Sequence, residues 1–229
     1  MNGDSVSVVI IAYQQASFLA AAVGSVRAQT RPADEIIIVD DGSTDDTARV
    51  AAGLGPGVRF IGLPHSGTGA HTRNYGAREA RGPWLAFLDA DDLWLPGKLQ
   101  AQLAWMRAHP RCDAVFGLGC NVRSGPDGSL VEEGRPRPAQ LPGAVLLRRD
   151  YFLERATFDP RWEKNEAIAW QLRLRQQGAD LGLLPELVLH RRLHATNLRR
   201  QGDGGRAEDL RLLRGWVAAQ REKRPGPVA

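Results

Sequence analysis

Three carboxylates fall within four positions at Asp89-Ala90-Asp91-Asp92. They follow the apolar run Trp84-Leu85-Ala86-Phe87-Leu88, which reads as a buried strand. Carboxylates are costly to bury unless something pairs with them, and three so close together repel one another. A divalent cation relieves that repulsion. Oxygen ligands suit Mg2+ or Mn2+, ions that keep some of their waters and bridge to substrate phosphates. The pattern predicts a metal at the edge of a sheet, holding a phosphorylated ligand.

Two more segments end in polar groups. One apolar run ends at Ala12-Tyr13-Gln14 and another at Asp40-Asp41-Gly42-Ser43. In a parallel sheet, ligands bind beyond the carboxyl ends of the strands. Any one of these ends reads equally as a capped turn, because Asp, Ser and Gly favour turns. Three on one edge argue for a site. Downstream, Arg191-Arg192-Leu193-His194 offers two guanidinium groups and an imidazole, all suited to phosphate oxygens. Its plainer reading is a solvated surface face. His65, His71, His109 and His190 show no metal-ligand spacing with one another.

The elements that must position these groups alternate strand with helix over the first half, which predicts parallel βαβ units. Strands are expected at 6–12, 35–39, 58–63 and 84–88. Helices are expected from Ser17 as cap, with Leu19, Ala22, Val23 and Val26 on one face, then at 44–52 with Asp45 and Asp46 in the first turn, and at 72–80. A further helix is expected from Pro96, with Leu99, Leu103 and Met106 as its buried stripe and Pro110 at its end. The second half is less regular. Strands are expected at 114–118 and 144–147, a hairpin turn at Ser124-Gly125-Pro126-Asp127-Gly128, and an exposed loop over 132–142. A helix over 167–177 should stop at Gly178, an extended segment follows at 187–193, and an amphipathic helix is expected over 208–222 with Leu212, Leu213 and Trp216. The last residues, 223–229, should fray.

At 229 residues the chain is long enough for one large domain with a sizeable core. Its 43% hydrophobic and 24% charged residues match a soluble globular protein. A net charge of +4 suits an anionic ligand but does not by itself indicate nucleic acid. No apolar run is long enough for a transmembrane segment, and Met1-Asn2-Gly3-Asp4 lacks a signal-peptide pattern, so a cytoplasmic protein is expected. Cys112 and Cys120 are expected as reduced thiols rather than a disulfide or half a zinc site. The oligomeric state stays open, with a homodimer among the options.

Several of these segments resemble family 2 glycosyltransferases. They are Val6-Ser7-Val8-Val9-Ile10-Ile11-Ala12-Tyr13, Ser25-Val26-Arg27-Ala28-Gln29-Thr30 and Ile37-Ile38-Val39-Asp40-Asp41-Gly42-Ser43-Thr44-Asp45. Thr72-Arg73-Asn74-Tyr75-Gly76 and Phe87-Leu88-Asp89-Ala90-Asp91-Asp92-Leu93-Trp94 add to them, the latter similar to the family's metal-binding motif. The resemblance covers residues 5 to about 110 and resumes more weakly from Leu184-Pro185-Glu186 to His194-Ala195-Thr196-Asn197-Leu198. It implies an α/β protein of GT-A fold, with a Rossmann-like, mostly parallel central sheet flanked by helices and a smaller, mixed acceptor-side region. Residues 1–112 would form the nucleotide-sugar half and 113–229 the acceptor half of a single domain. Position by position, the resemblance places Ala12 and Tyr13 at the nucleoside, Asp41 on the base and Arg73 near the base or diphosphate. Asp89 would face the ribose or a metal-bound water, Asp91 would ligate the metal as part of the catalytic set, and Arg192 and His194 would close over the diphosphate, His194 near the metal.

The second half departs from the family pattern. Inverting members use a carboxylate as general base, usually in an acidic pair at a helix start. Here Glu166 matches the first acid, while Ala167 stands at the usual aspartate and Ala169 where some relatives carry another. Three readings follow: Glu166 is the base, or Asp159 or Glu163 reaches the site, or the chain is catalytically impaired. The plainer role for Glu166 is an acid favourable to the helix dipole. The resulting expectation is a metal-dependent inverting transferase that moves a sugar from a UDP-sugar, with UDP-glucose as default, to a saccharide, peptide or small natural-product acceptor. A nucleotide-sugar-binding pseudoenzyme is the alternative. A sugar nucleotidyltransferase ranks lower, because no Gly-rich basic loop follows the first strand.

Overall fold

An apolar run with no polar face can be buried only in the middle of a sheet covered by helices. In the computed structural model, which describes residues 3–125, 129–162 and 166–194, such a run forms β1 (Val6–Ala12). β2 (Glu35–Asp40) pairs with it in parallel on one side, with β3 (Val58–Gly62) beyond; β4 (Trp84–Asp89) pairs in parallel on the other side. α1 (Ala16–Arg27), α2 (Thr47–Ala52) and α3 (Gly69–Glu79) make the crossovers. Strand alternation divides the core between the two faces. Val6, Val8 and Ile10 pack with Leu19, Ala22, Val23 and Val26 of α1, while Val9 and Phe87 pack with Ala70 and Ala77 of α3.

The rest of the chain extends the same sheet. β5 (Leu93–Trp94) precedes α4 (Lys98–Ala108), and β6 (Ala114–Ser124) forms a long hairpin with β7 (Leu130–Ala139). A 3₁₀ turn at Pro142–Ala144 leads into β8 (Val145–Arg148), then α5 (Arg149–Arg155), α6 (Glu166–Gln176) and β9 (Leu181–Arg192). The strand order is β3-β2-β1-β4-β8-β6-β9-β5, with β7 on β6. β8 is antiparallel to both β4 and β6, so it splices the parallel half onto the rest. β9 runs parallel to β6 and pairs antiparallel with β5 at His190 and Leu189. That pairing returns the end of β9 to the carboxylates after β4.

Several expectations needed correction. The exposed loop expected over 132–142 is mostly strand β7. Its prolines are tolerated because an edge strand needs no outward N–H. α1 begins before Ser17, at Ala16, and Asp45 Oδ2 accepts from its first N–H at 3.0 Å, so the helix is capped from another loop. Asp45 and Asp46 precede α2 rather than open it, because Asp45 is used across that gap. α3 begins at Gly69, with the Thr68 side chain accepting from His71 N at 3.3 Å, and α4 begins two residues after Pro96. β5 and α5 were not anticipated, and β9 is longer than the segment expected at 187–193. Gly178, at φ 71°, follows the end of α6 as expected, and Cys112 and Cys120 are free. Residues 126–128, Glu163 and the helix expected over 208–222 lie outside the described residues. No helix among the described residues is long and apolar enough to cross a membrane.

Candidate functional site

The carboxyl ends of β1, β2 and β3 are knitted together by short polar side chains. Gln14 has the one positive φ outside glycine among the described residues, at 56°. Cross-strand bonds hold it there: Gln14 N donates to Ser43 Oγ at 2.8 Å, and Gln14 Oε1 accepts from Asp45 N at 3.0 Å. Asp41 is buried and wraps the loop after β3 around itself. Its Oδ1 accepts from Ser66 N (2.9 Å) and Ser66 Oγ (2.7 Å), and its Oδ2 from Gly67 N (3.0 Å). His65 Nδ1 lies 2.8 Å from Asp41 O and 3.0 Å from Asp41 Oδ2, two acceptors that place the proton on that nitrogen. The His65 ring stacks on Tyr13 at 4.2 Å between centroids, while Ala12 is buried beneath. Gly42 makes this approach possible: at φ 74°, a Cβ there would sit 2.7 Å from His65 N.

Beyond β4 the carboxylates of Asp89, Asp91 and Asp92 offer ligand atoms within 4.8 Å of one another. Burial, and then the neighbouring Asp89 charge, pushes the Asp91 carboxyl above the ordinary carboxylate range; His194 opposes the shift. Burial pushes Asp92 well above that range, helped by the charges of Asp91 and Asp89. Asp92 turns inward, and its Oδ1 accepts from Arg192 N at 2.9 Å. His194 Nε2 lies 3.0 Å from Asp91 Oδ2. Phe18 of α1 packs on the His194 ring at 4.5 Å and under the Arg192 guanidinium at 5.0 Å. The hard oxygen donors and their mutual repulsion fit a divalent cation.

On the other face, the buried Arg73 reaches Asp89 through Nη2 and Glu166 Oε1 through Nη1. Glu166 Oε2 is buried with no hydrogen-bond partner among the described residues. The site therefore brings Ala12, Tyr13, Asp41, Arg73, Asp89, Asp91, Glu166, Arg192 and His194 to one edge of the sheet. Asp159 is instead held by Arg161, with contacts from 2.6 Å. Ala167 shares the buried stripe of α6 with Trp170 and Leu174.

Sequence reasoning missed His65 and Ser66, which hold Asp41, and Phe18, which lies under His194 and Arg192. The signal for the loop was present: β3 also delivers its carboxyl end to this edge, and Leu63-Pro64-His65-Ser66-Gly67 follows it. Phe18 carried no such signal, because its role arises only when β9 returns.

The model of "Glycosyl transferase family 2" matches residues 7–153 of the 229. Succinoglycan biosynthesis protein ExoO of Rhizobium meliloti is 39% identical over 180 residues, spanning 74% of this chain and 52% of ExoO. An uncharacterised glycosyltransferase of Nostoc sp. is 44% identical over 99 residues, spanning 42% of this chain and 30% of that protein. The chain thus spans about half or less of the curated relatives it matches. Among solved structures, S. aureus TarS 1–349 in complex with UDP-GlcNAc aligns with TM-score 0.75 at 16% identity, covering 93% of this chain and 66% of that one. At that identity the likeness shows the fold, which is GT-A. With its carboxylate cluster, strand order and family match in agreement, the chain belongs to glycosyl transferase family 2.

Proposed function

We propose that this chain transfers a sugar from a UDP-sugar to a hydroxyl acceptor with inversion, using Mn2+ or Mg2+ and Glu166 as general base. The observation that carries the reading is the juxtaposition, about one guanidinium, of a carboxylate cluster and a second carboxylate whose other oxygen is buried with no partner among the described residues. The nucleoside lies against Ala12 and Tyr13, beside the loop shaped by Asp41. Asp89 and Asp91 would hold the ion, with His194 alongside. When bound, the ion neutralises the charge that grows on the departing diphosphate. Arg192 adds positive charge on the same side. Glu166 Oε2 takes the proton of the acceptor hydroxyl as the new glycosidic bond forms. Residues 1–112 serve the donor and the later residues the acceptor. The structure of TarS with UDP-GlcNAc supports a UDP-sugar, and the name of ExoO favours a glycan acceptor. UDP-glucose and UDP-GlcNAc are the first donors to test.

A second reading rests on Ala167. It faces the core, so the aspartate common in relatives has no counterpart at that position, and a donor-binding protein without transfer follows if Glu166 does not act. Calorimetry with UDP and Mn2+, joined to a UDP-release assay, separates the two. Asp91→Ala is expected to abolish the Mn2+-dependent part of UDP binding while the circular dichroism spectrum stays unchanged. Glu166→Gln is expected to lower UDP release by about 100-fold or more with UDP affinity retained. Unchanged binding in the first variant removes the metal assignment, and unchanged release in the second removes the base.

A further inference from the structure

We propose that Arg73 is a positioning residue for Glu166: it occupies Oε1 and so fixes Oε2 as the one oxygen able to accept a proton. The inference rests on the reading of Glu166 as the base. Arg73 is 3% exposed, and its two terminal nitrogens are divided between carboxylates from different parts of the chain, Asp89 at the end of β4 and Glu166 at the start of α6. Splitting the fork in this way sets the distance and angle between the donor-side cluster and the base. A lysine ammonium, a point charge on a flexible stem, cannot do that with the same rigidity.

Two neighbours confine the pair. Gly69, in the first turn of α3, lies directly beneath it. A Cβ there would come 2.6 Å from Arg73 Nη1 and 2.7 Å from Glu166 Oε1, so an alanine would push the two side-chain ends aside. The Phe158 ring covers the guanidinium, with Cζ 5.4 Å from its centroid. That ring in turn stacks on Trp170 of α6 at 4.7 Å. The helix that carries Glu166 thus also fixes the ring that packs on Arg73. One Glu166 oxygen is held and the other is buried without a partner among the described residues. Arg73 Nε is likewise buried without a partner among the described residues, so the pair leaves one acceptor and one donor still to be satisfied. A carboxylate held within a few tenths of an ångström gains most of the benefit of a positioned base.

The test uses UDP release from UDP-GlcNAc in the presence of Mn2+, with water as acceptor, on wild type, Arg73→Met, Arg73→Lys, Glu166→Gln and Arg73→Met with Glu166→Gln. If Arg73 acts through Glu166, Arg73→Met lowers kcat about 100-fold with KM for the donor within about threefold. Arg73→Lys falls between the two, added guanidinium restores part of the loss in Arg73→Met, and the double variant is no slower than Glu166→Gln. A second readout needs no turnover. Carbodiimide labelling of Glu166, followed by mass spectrometry, is expected to rise severalfold in Arg73→Met and to stay near wild type in Arg73→Lys. Full kcat in Arg73→Met while Glu166→Gln is inactive overturns the positioning role and leaves the base standing. So does a rise in KM alone, or losses that multiply in the double variant. Full turnover in Glu166→Gln removes the base instead, and unchanged labelling in Arg73→Met then overturns the positioning as well.

Discussion

Glu166 and Ala167 are adjacent on α6 with opposite surroundings. Glu166 faces the sheet edge and Arg73, whereas Ala167 falls in the i, i+3, i+7 stripe with Trp170 and Leu174. An aspartate at 167 would therefore be desolvated. Ala167→Asp is expected to lower Tm by at least about 4 °C without raising UDP release. A gain in release would show that position 167 can reach the acceptor. Asp41 shows the same dependence on surroundings. Its two oxygens already accept from Ser66 N, Ser66 Oγ, Gly67 N and His65 Nδ1, so in this arrangement it organises the wall on which Tyr13 and His65 stack.

α3 does more than cross over between β3 and β4. Its cap comes from Thr68, its first turn lies under the Arg73–Glu166 pair, and Asn74 reaches the segment before α6. There Asn74 Nδ2 donates to Phe158 O at 2.8 Å, and Asn74 Oδ1 accepts from Phe158 N at 2.9 Å, both buried. Trp170 Nε1 donates to Ala156 O in the same segment. Removing Asn74 leaves a buried donor and a buried acceptor without partners, each costing about 1–3 kcal/mol. Asn74→Ala is expected to lower Tm by about 5–10 °C, with UDP affinity in Mn2+ within about twofold because Tyr13, Asp41 and Asp91 come from other elements. A Tm close to wild type in a melting experiment would show that the staple carries little.

The two halves of the sheet are joined at β8, and a buried polar network clamps that joint. Lys98 Nζ donates to Gln102 Oε1 at 2.7 Å and to Val145 O at 3.0 Å, and it lies 4.1 Å from the centre of the Trp94 ring. Gln102 Nε2 donates to Val115 O at 3.0 Å and Ala144 O at 2.8 Å. α4, β5, β6 and β8 thereby meet at two side chains. Burial pushes the Lys98 ammonium well below its ordinary value of 10.5, although its carbonyl acceptors and the indole face favour the charge. The unfolded chain thus holds this proton more tightly, and unfolding takes up protons at pH values between the lowered folded value and 10.5. Stability must rise with pH until the ordinary value is passed. Relative to Lys98→Met, wild type is expected to gain Tm as pH rises toward 10.5. A difference that stays flat with pH would mean that Lys98 keeps its proton when buried at an ordinary affinity.

What the residues determined alone was the parallel half and its edge. Two-sided apolar runs at β1, β2 and β4 can be buried only as central strands, and polar groups at their carboxyl ends must then share one edge. The clustering of Asp89, Asp91 and Asp92 was legible because it is local: three like charges in four positions of the chain stay close in any fold. The return of β9 to β5, the strand in place of the 132–142 loop and the inward face of Ala167 were not legible. β-pairing between distant segments and the rotation of a helix are fixed by packing against the whole core, and weak periodicity leaves both open. The same holds for the Arg73 bridge. Arg73 and Glu166 lie 93 positions apart, and only the folded sheet sets one guanidinium between the carboxylates of the two halves.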